Sequence, residues 1–238
     1  MGIRRGSIST PIIADGLLFN MDAANRASTR PSTSTDKTFN TIDTSISGSF
    51  ASTGMYDSSM VSPSFDFDGV SNRITISDSN FVQNTLGSGS ISVNIWTYKD
   101  ASALDYIFDS TNGSGGFQGI SLIADSGQKI YFVRITENKD FLTGYKTIGF
   151  TTEAWHNITC IANNDSNTWA LYLDGVHKFT GNAITGQTNS PGYNLTFGGK
   201  ASGFSYEGNI GCTQIYNRAL SANEVLHNYN ALKSRFGL

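Results

Sequence analysis

The stretch AWHNITCIANNDSNTWALYLDGVHKFT, residues 154–180, decides the architecture. Ile158, Cys160 and Ala162 fall on one side of an extended chain, the polar NNDSN breaks the run, and Trp169, Leu171 and Leu173 alternate in the return. Asp174-Gly175 then supplies the two positive φ angles that a tight type I′ hairpin turn demands. Three consecutive antiparallel strands follow. The same phrase, a short β-rich run closed by Gly, Asn, Asp or Ser, recurs from about Phe65 onward. NRITIS puts Ile74 and Ile76 on one face; SISVNIWTY puts Ile91, Val93 and Ile95 on one face and Asn94, Trp96 and Tyr98 on the other. GISLIA and KIYFVRIT continue it with both faces partly apolar, and NLTFGG and GNIGCTQIY add two more strands, Gly208 and Gly211 weakening or bulging the last. The expected class is all-β: a sandwich of two antiparallel sheets.

Two segments break the pattern. Residues 28–54 are dominated by Ser and Thr, too polar to build a core, and read as a long surface excursion after a strand in GLLFNMDAA. Near the other end, YNRALSANEV (216–225) marks a helix start: Ser221 and Glu224 have the spacing of a capping box, and Leu220 and Val225 that of a hydrophobic staple. Val225, Leu226, Tyr229 and Leu232 then form an apolar stripe that must cover the sandwich. The organisation expected is residues 1–64 as N-terminal arm, first strand and excursion, and 65–238 as the sandwich, with the helix at about 221–233.

Only 15% of the 238 residues are charged and the formal net charge is -3, so no global basic field exists to hold nucleic acid or an anionic membrane. Arg4, Arg5, Arg26 and Arg30 make the N-terminal end locally basic, and they are the candidate contacts of an arm with an acidic partner surface; a plain solvated arm is the alternative. No apolar run reaches transmembrane length, and MGIRRGSIST lacks the apolar region of a secretory signal, which points to folding in a cytoplasm. Cys160 and Cys212 sit in apolar strand patterns and read as small buried hydrophobes, a bridge between them staying open.

The series FDFDGVSNRITIS, SISVNIWTY, EAWHNITCI, WALYLDGV, LTFGG and YEGNIGCTQIYNRALSANEV, over roughly residues 65–230, resembles the laminin-G-like, concanavalin A-like lectin/glucanase superfamily. The resemblance implies a jelly roll. ADGLLFNMDAANRAS with NYNALKSRFGL is similar, more narrowly, to laminin-G-like virion proteins of tailed bacteriophages, although DKTFNTIDTSISG departs from their pattern between the first strand and the excursion.

Glycoside hydrolysis needs two carboxyl groups flanking the bond, which the superfamily's glucanases carry as alternating acids on one strand. The four glutamates, Glu137, Glu153, Glu207 and Glu224, are far apart in sequence, and Asp66 and Asp68 in FDFDG match a structural turn of the family. His156, His177 and His227 sit in no nucleophile motif. No catalytic residue and no cofactor is expected. Calcium stays open, since Asp105, Asp109, Asp125 and Asp165 stand in polar loop contexts that suit hard cations. Trp96, Trp155 and Trp169 read as packing residues. Two functions follow from the resemblance: a non-enzymatic virion protein that decorates or cements a phage capsid, contacting other virion proteins, or a lectin-like module of a tail fibre or tip that holds host surface glycan. Self-association stays open; no coiled-coil stem is present.

Overall fold

The computed structural model describes residues 11–25, 38–40, 47–52, 54–76, 81, 89–100, 103–111, 117–186, 190–200 and 203–238. Arg4, Arg5, Arg26 and Arg30 lie outside them. Two antiparallel sheets face each other. The first runs, in spatial order, β15 (Val176–Asn182), β14 (Thr168–Leu173), β13 (Trp155–Asn163), β7 (Ile91–Lys99), β20 (Glu207–Tyr216), β5 (Ser64–Asp68) and β4 (Tyr56–Asp57), and β1 (Leu17–Asp22) shares the β20 edge with β5. The second runs β16 (Ile184–Thr185), β11 (Lys139–Leu142), β10 (Lys129–Ile135), β9 (Gly119–Asp125), β8 (Asp105–Asp109), β17 (Leu195–Phe197), β6 (Ile74–Ile76), β3 (Ser47–Phe50) and β2 (Thr38–Asn40), with β12 (Lys146–Thr147) also on β10. A small hairpin, β18 (Gly199–Lys200) with β19 (Gly203–Ser205), stands apart.

Period-two alternation supplies the core. Ile91, Val93, Ile95, Ile158, Cys160 and Leu171 from the first sheet meet Ile107, Phe108, Leu122, Phe132 and Phe197 from the second, all buried. The hairpin turn takes the predicted form, with φ of 53° at Asp174 and 75° at Gly175. Within the Ser/Thr-rich stretch, β2 and β3 extend the second sheet and Phe50 enters the core against Phe65 at 5.5 Å. A polar composition suits an edge strand, whose outward side faces water.

The outer face of the first sheet is covered. Helix α1 (Ala222–Leu232) and a 3-10 turn (Lys233–Phe236) lie over it. Ser221 and Glu224 close the capping box, and Leu220 and Val225 are buried together with Ile161, Tyr172 and Tyr216. The Trp96 ring stacks on Phe236 at 4.3 Å and Tyr229 at 5.6 Å, and Trp155 packs on Phe236 at 4.7 Å. Gly211, at a register shift in β20, leaves the space that the Phe236 ring occupies. Buried Asn228 accepts from the Ile13 N–H at 2.8 Å and donates to the Tyr216 hydroxyl at 3.0 Å, so the chain ahead of β1 is fastened to the helix. Cys160 faces the core while Cys212 faces Phe236 on the outer side; both are free thiols, divided by the sheet itself.

Beneath the helix, Thr159, Asn94, Gln214 and Asn20 stand opposite one another across β13, β7, β20 and β1. Thr159 donates to Asn94 at 2.7 Å, Asn94 to Gln214 at 2.7 Å, and Gln214 to Asn20 at 3.1 Å. Asn94→Ala leaves two buried partners unsatisfied, and a loss of about 3 kcal/mol in urea unfolding is expected. At the cap, the Arg218 guanidinium and the Ser221 N–H and hydroxyl hold the Glu224 pKa down to about 2 from 4.5, against a smaller burial penalty. A lowered carboxylate pKa stabilises above 4.5 and ceases to as pH falls through about 2. Glu224→Gln therefore melts earlier than the parent at neutral pH, and thermal scans show the gap closing over that acid range.

Candidate functional site

The second sheet presents its other face outward. Residues directly opposite in an antiparallel ladder share a face, and the register aligns Ser49, Thr75, Thr196, Asp109 and Ser121 across β3, β6, β17, β8 and β9. Five strands at the usual spacing make a row of hydroxyls and one carboxylate about 19 Å long. Ser49 is exposed, Thr75 half-buried, and Thr196, Asp109 and Ser121 form a nearly closed floor.

A second row runs beside it. A register shift between Tyr106 and Phe108 turns Tyr106 outward, opposite Ile123, which in turn faces Tyr131 on β10. Tyr145 packs on Tyr131 at 5.1 Å, and the β18–β19 hairpin brings Lys200 and Phe204 against Tyr106. Tyr145 and Phe204 expose 43% and 54% of their surface, so the rings are available to a ligand. Burial above all raises the phenol pKa values of Tyr106, Tyr131 and Tyr145, with nearby Asp109, Asp140 and Asp125 respectively adding to it. All three stay protonated at neutral pH, able both to donate and to accept.

Asp109 is the electrostatic centre. One carboxylate oxygen, Oδ1, accepts from the Thr111 N–H at 3.1 Å and hydroxyl at 2.8 Å. Burial nevertheless raises its pKa, the Thr111 contacts, Ser121 and Lys200 pulling only partly the other way. The Ser121 hydroxyl lies near enough to favour the charge without closing a hydrogen bond of ordinary geometry. A carboxylate kept where its ionisation costs stability, on a face lined with hydroxyls and rings, suits ligand binding better than folding.

Of the residues singled out in the sequence, Asp109 lies in the outward row, and the others fall elsewhere. Leu220, Ser221, Glu224 and Val225 belong to the helix start, on the opposite side of the sandwich. Asp105 pairs with buried Lys99, Asp125 caps the Ser126 N–H at 2.7 Å, and Asp165 lies in the β13–β14 turn; among the described residues no three of His, Cys, Asp and Glu are arranged to hold a metal ion. Asp68 accepts from the Val70, Ser71 and Asn72 N–H groups within a turn. His156 donates to Asp174 at 2.8 Å and accepts from the Thr151 hydroxyl at 2.9 Å and N–H at 3.3 Å. That order of groups has the form of a nucleophilic relay, yet the Thr151 N–H and the Asn157 N–H, which donates to Asp174, turn it into a lock between two chain segments. His177 bonds Thr180 and His227 bonds the Pro11 carbonyl. Asp100 does come within electrostatic reach of Glu207 and Glu153, which add to the burial that raises its pKa, but these acids sit at strand ends of the first sheet, off the outward face of the second. Sequence reasoning misses Tyr106, Tyr131, Tyr145, Lys200 and Phe204; the one signal for them is the Tyr131 alternation in KIYFVRIT.

A laminin-G-type model described as the concanavalin A-like lectin/glucanases superfamily matches residues 68–226. The chain belongs to that superfamily. In three dimensions this lectin/glucanase-type domain is similar to the Trypanosoma rangeli sialidase, with TM-score 0.66 and 11% identity over 96% of this chain and 36% of that one. It is similar also to domain 4 of AbnA, an extracellular arabinanase of family GH43 from Geobacillus stearothermophilus, solved with arabinotriose: TM-score 0.62 and 14% identity over 90% of this chain and 98% of that one. At these identities the likeness is one of fold. The domain spans roughly a third of the sialidase's length. No curated protein sequence matches it.

The raised Asp109 pKa has a sign that can be measured. Below the unfolded value of 3.8 both states carry the proton; above it the folded state resists ionising and stability is lost. Asp109→Asn keeps an acceptor for Thr111, so it should unfold later than the parent at neutral pH and together with it near pH ~3, as followed by denaturant titration at both pH values.

Proposed function

We propose that this domain is a non-catalytic glycan-binding module. The observation that carries the reading is the pair of parallel rows on the second sheet. Sugars offer apolar C–H faces and a dense set of hydroxyls that donate and accept; aromatic rings match the first, and Ser, Thr and Asp side chains the second. The fold supports it, since the arabinanase domain that covers nearly all of its own length on this chain was solved with an oligosaccharide. Among the described residues, Asp109 is the one acid in the two rows, where a glucanase would place a pair.

A second reading, a structural part in a virion, is favoured by the N-terminal segment. Ile13 and Leu17 pack with the helix cluster and the Pro11 carbonyl accepts from His227, all on the outer face of the first sheet. The described part of that segment, from Pro11 onward, therefore lies on the side opposite the rows. A virion component of a tailed phage, on the capsid or at the tail tip, would dock through the basic arm and hold its glycan face outward. Binding and decoration are then two sides of one module.

A broad glycan array followed by calorimetry tests the binding. A defined saccharide class binds, and the double variant Tyr131→Ala/Tyr145→Ala weakens it about tenfold with the melting profile retained. Silence across the array, or unchanged affinity in the variant, overturns the reading.

A further inference from the structure

Lys200 lies over two rings, an arrangement it shares with Lys146 over Trp169 and Phe179, but Lys200 does so at the end of the outward aromatic row. Its ammonium lies 4.7 Å from the centre of the Phe204 ring and 5.3 Å from that of Tyr106. Among the described residues no carboxylate pairs with it, whereas Lys99 pairs with Asp105, Arg235 with Asp22, and Arg218 with Asp15 and Glu224. Two rings attract a cation electrostatically but accept no ordinary hydrogen bond, so its N–H donors are left to water or a ligand. On the facing strand, Phe204 stands at φ 56° next to Gly203 at φ 120°, a left-handed pair that a non-glycine residue adopts only under constraint. Ser205 locks that conformation, accepting from Arg73 at 2.7 Å and donating to the Val70 carbonyl at 3.0 Å. The nearest acid on the face, Asp109, acts on Lys200 through space and is engaged by Thr111.

We propose that Lys200, clasped by Tyr106 and Phe204 at the end of the aromatic row, receives the anionic group of an acidic glycan, a uronate carboxylate or a sulfate ester. The inference rests on the glycan-binding reading and adds the ligand's charge. A neutral sugar stacking on Tyr131 and Tyr145 leaves the ammonium with water. An acidic one gains a charge-assisted hydrogen bond to a donor already positioned, with little side-chain freedom left to lose.

The test is calorimetry of the full chain against three oligosaccharide preparations of equal length: neutral, uronate-bearing and sulfate-bearing. The parent protein, Lys200→Met, which keeps the apolar stem, and Tyr131→Ala are compared. The expected result is that the parent favours at least one acidic ligand over the neutral one by about tenfold, a preference that shrinks with added salt. Lys200→Met abolishes the preference, so that acidic and neutral ligands bind it alike, while Tyr131→Ala weakens all ligands and keeps the preference. Preference for the uronate that vanishes when its carboxylate is protonated identifies a carboxylate ligand; preference for the sulfate that persists at the same pH identifies a sulfate. Equal binding of all three ligands, or a preference unchanged in Lys200→Met, overturns the proposal while glycan binding stands. If none of the three binds and the array is silent, the glycan reading falls and this inference with it.

Discussion

The four polar side chains that bridge β13, β7, β20 and β1 hold the register on which the remaining architecture depends. Successive residues of a strand point to opposite faces, so a slip of one position exchanges the inward set for the outward set. In this chain such a slip would turn Val93, Ile95 and Cys160 out and bring Asn94 and Thr159 in. Each of the three side-chain bonds requires the observed alignment, and all would be lost together. The helix then seals the row, because buried amides tolerate enclosure once their partners are in place.

That cover also separates the two faces of the molecule. The first sheet commits its outer surface to Trp96, Trp155, Tyr216 and the C-terminal segment. The second sheet instead arrays hydroxyls, phenols and one buried carboxylate on its outer side, groups that contribute little to a core. A fold stabilised from one side is free to vary the other, and that is where side chains are found whose presence folding alone does not explain. Asp109 is the clearest example, its charge opposed by burial and only partly supported by its neighbours.

The fold was more legible than the site, for a physical reason. Alternation in SISVNIWTY and in AWHNITCIANNDSNTWALYLDG determines which residues share a face, and the capping spacing at Ser221 and Glu224 is local, so both can be read along the chain. Alternation does not say which face looks inward when both are apolar, and this hid Tyr131 in KIYFVRIT. The hydroxyl row is less legible still: its five members come from five strands, and only the strand order brings Ser49 into line with Ser121. The same non-local ordering gives Phe50 a place in the core although its surroundings in sequence are nearly all Ser and Thr.

Gly211 and Phe236 show what such packing implies for inheritance. Any side chain at position 211 would occupy the space of the Phe236 ring, and that ring in turn supports Trp96 and Trp155. The two positions are therefore a single unit of variation: a lineage that gains a larger residue at 211 must surrender the aromatic ring at 236, or shift the whole C-terminal segment, before the change can persist.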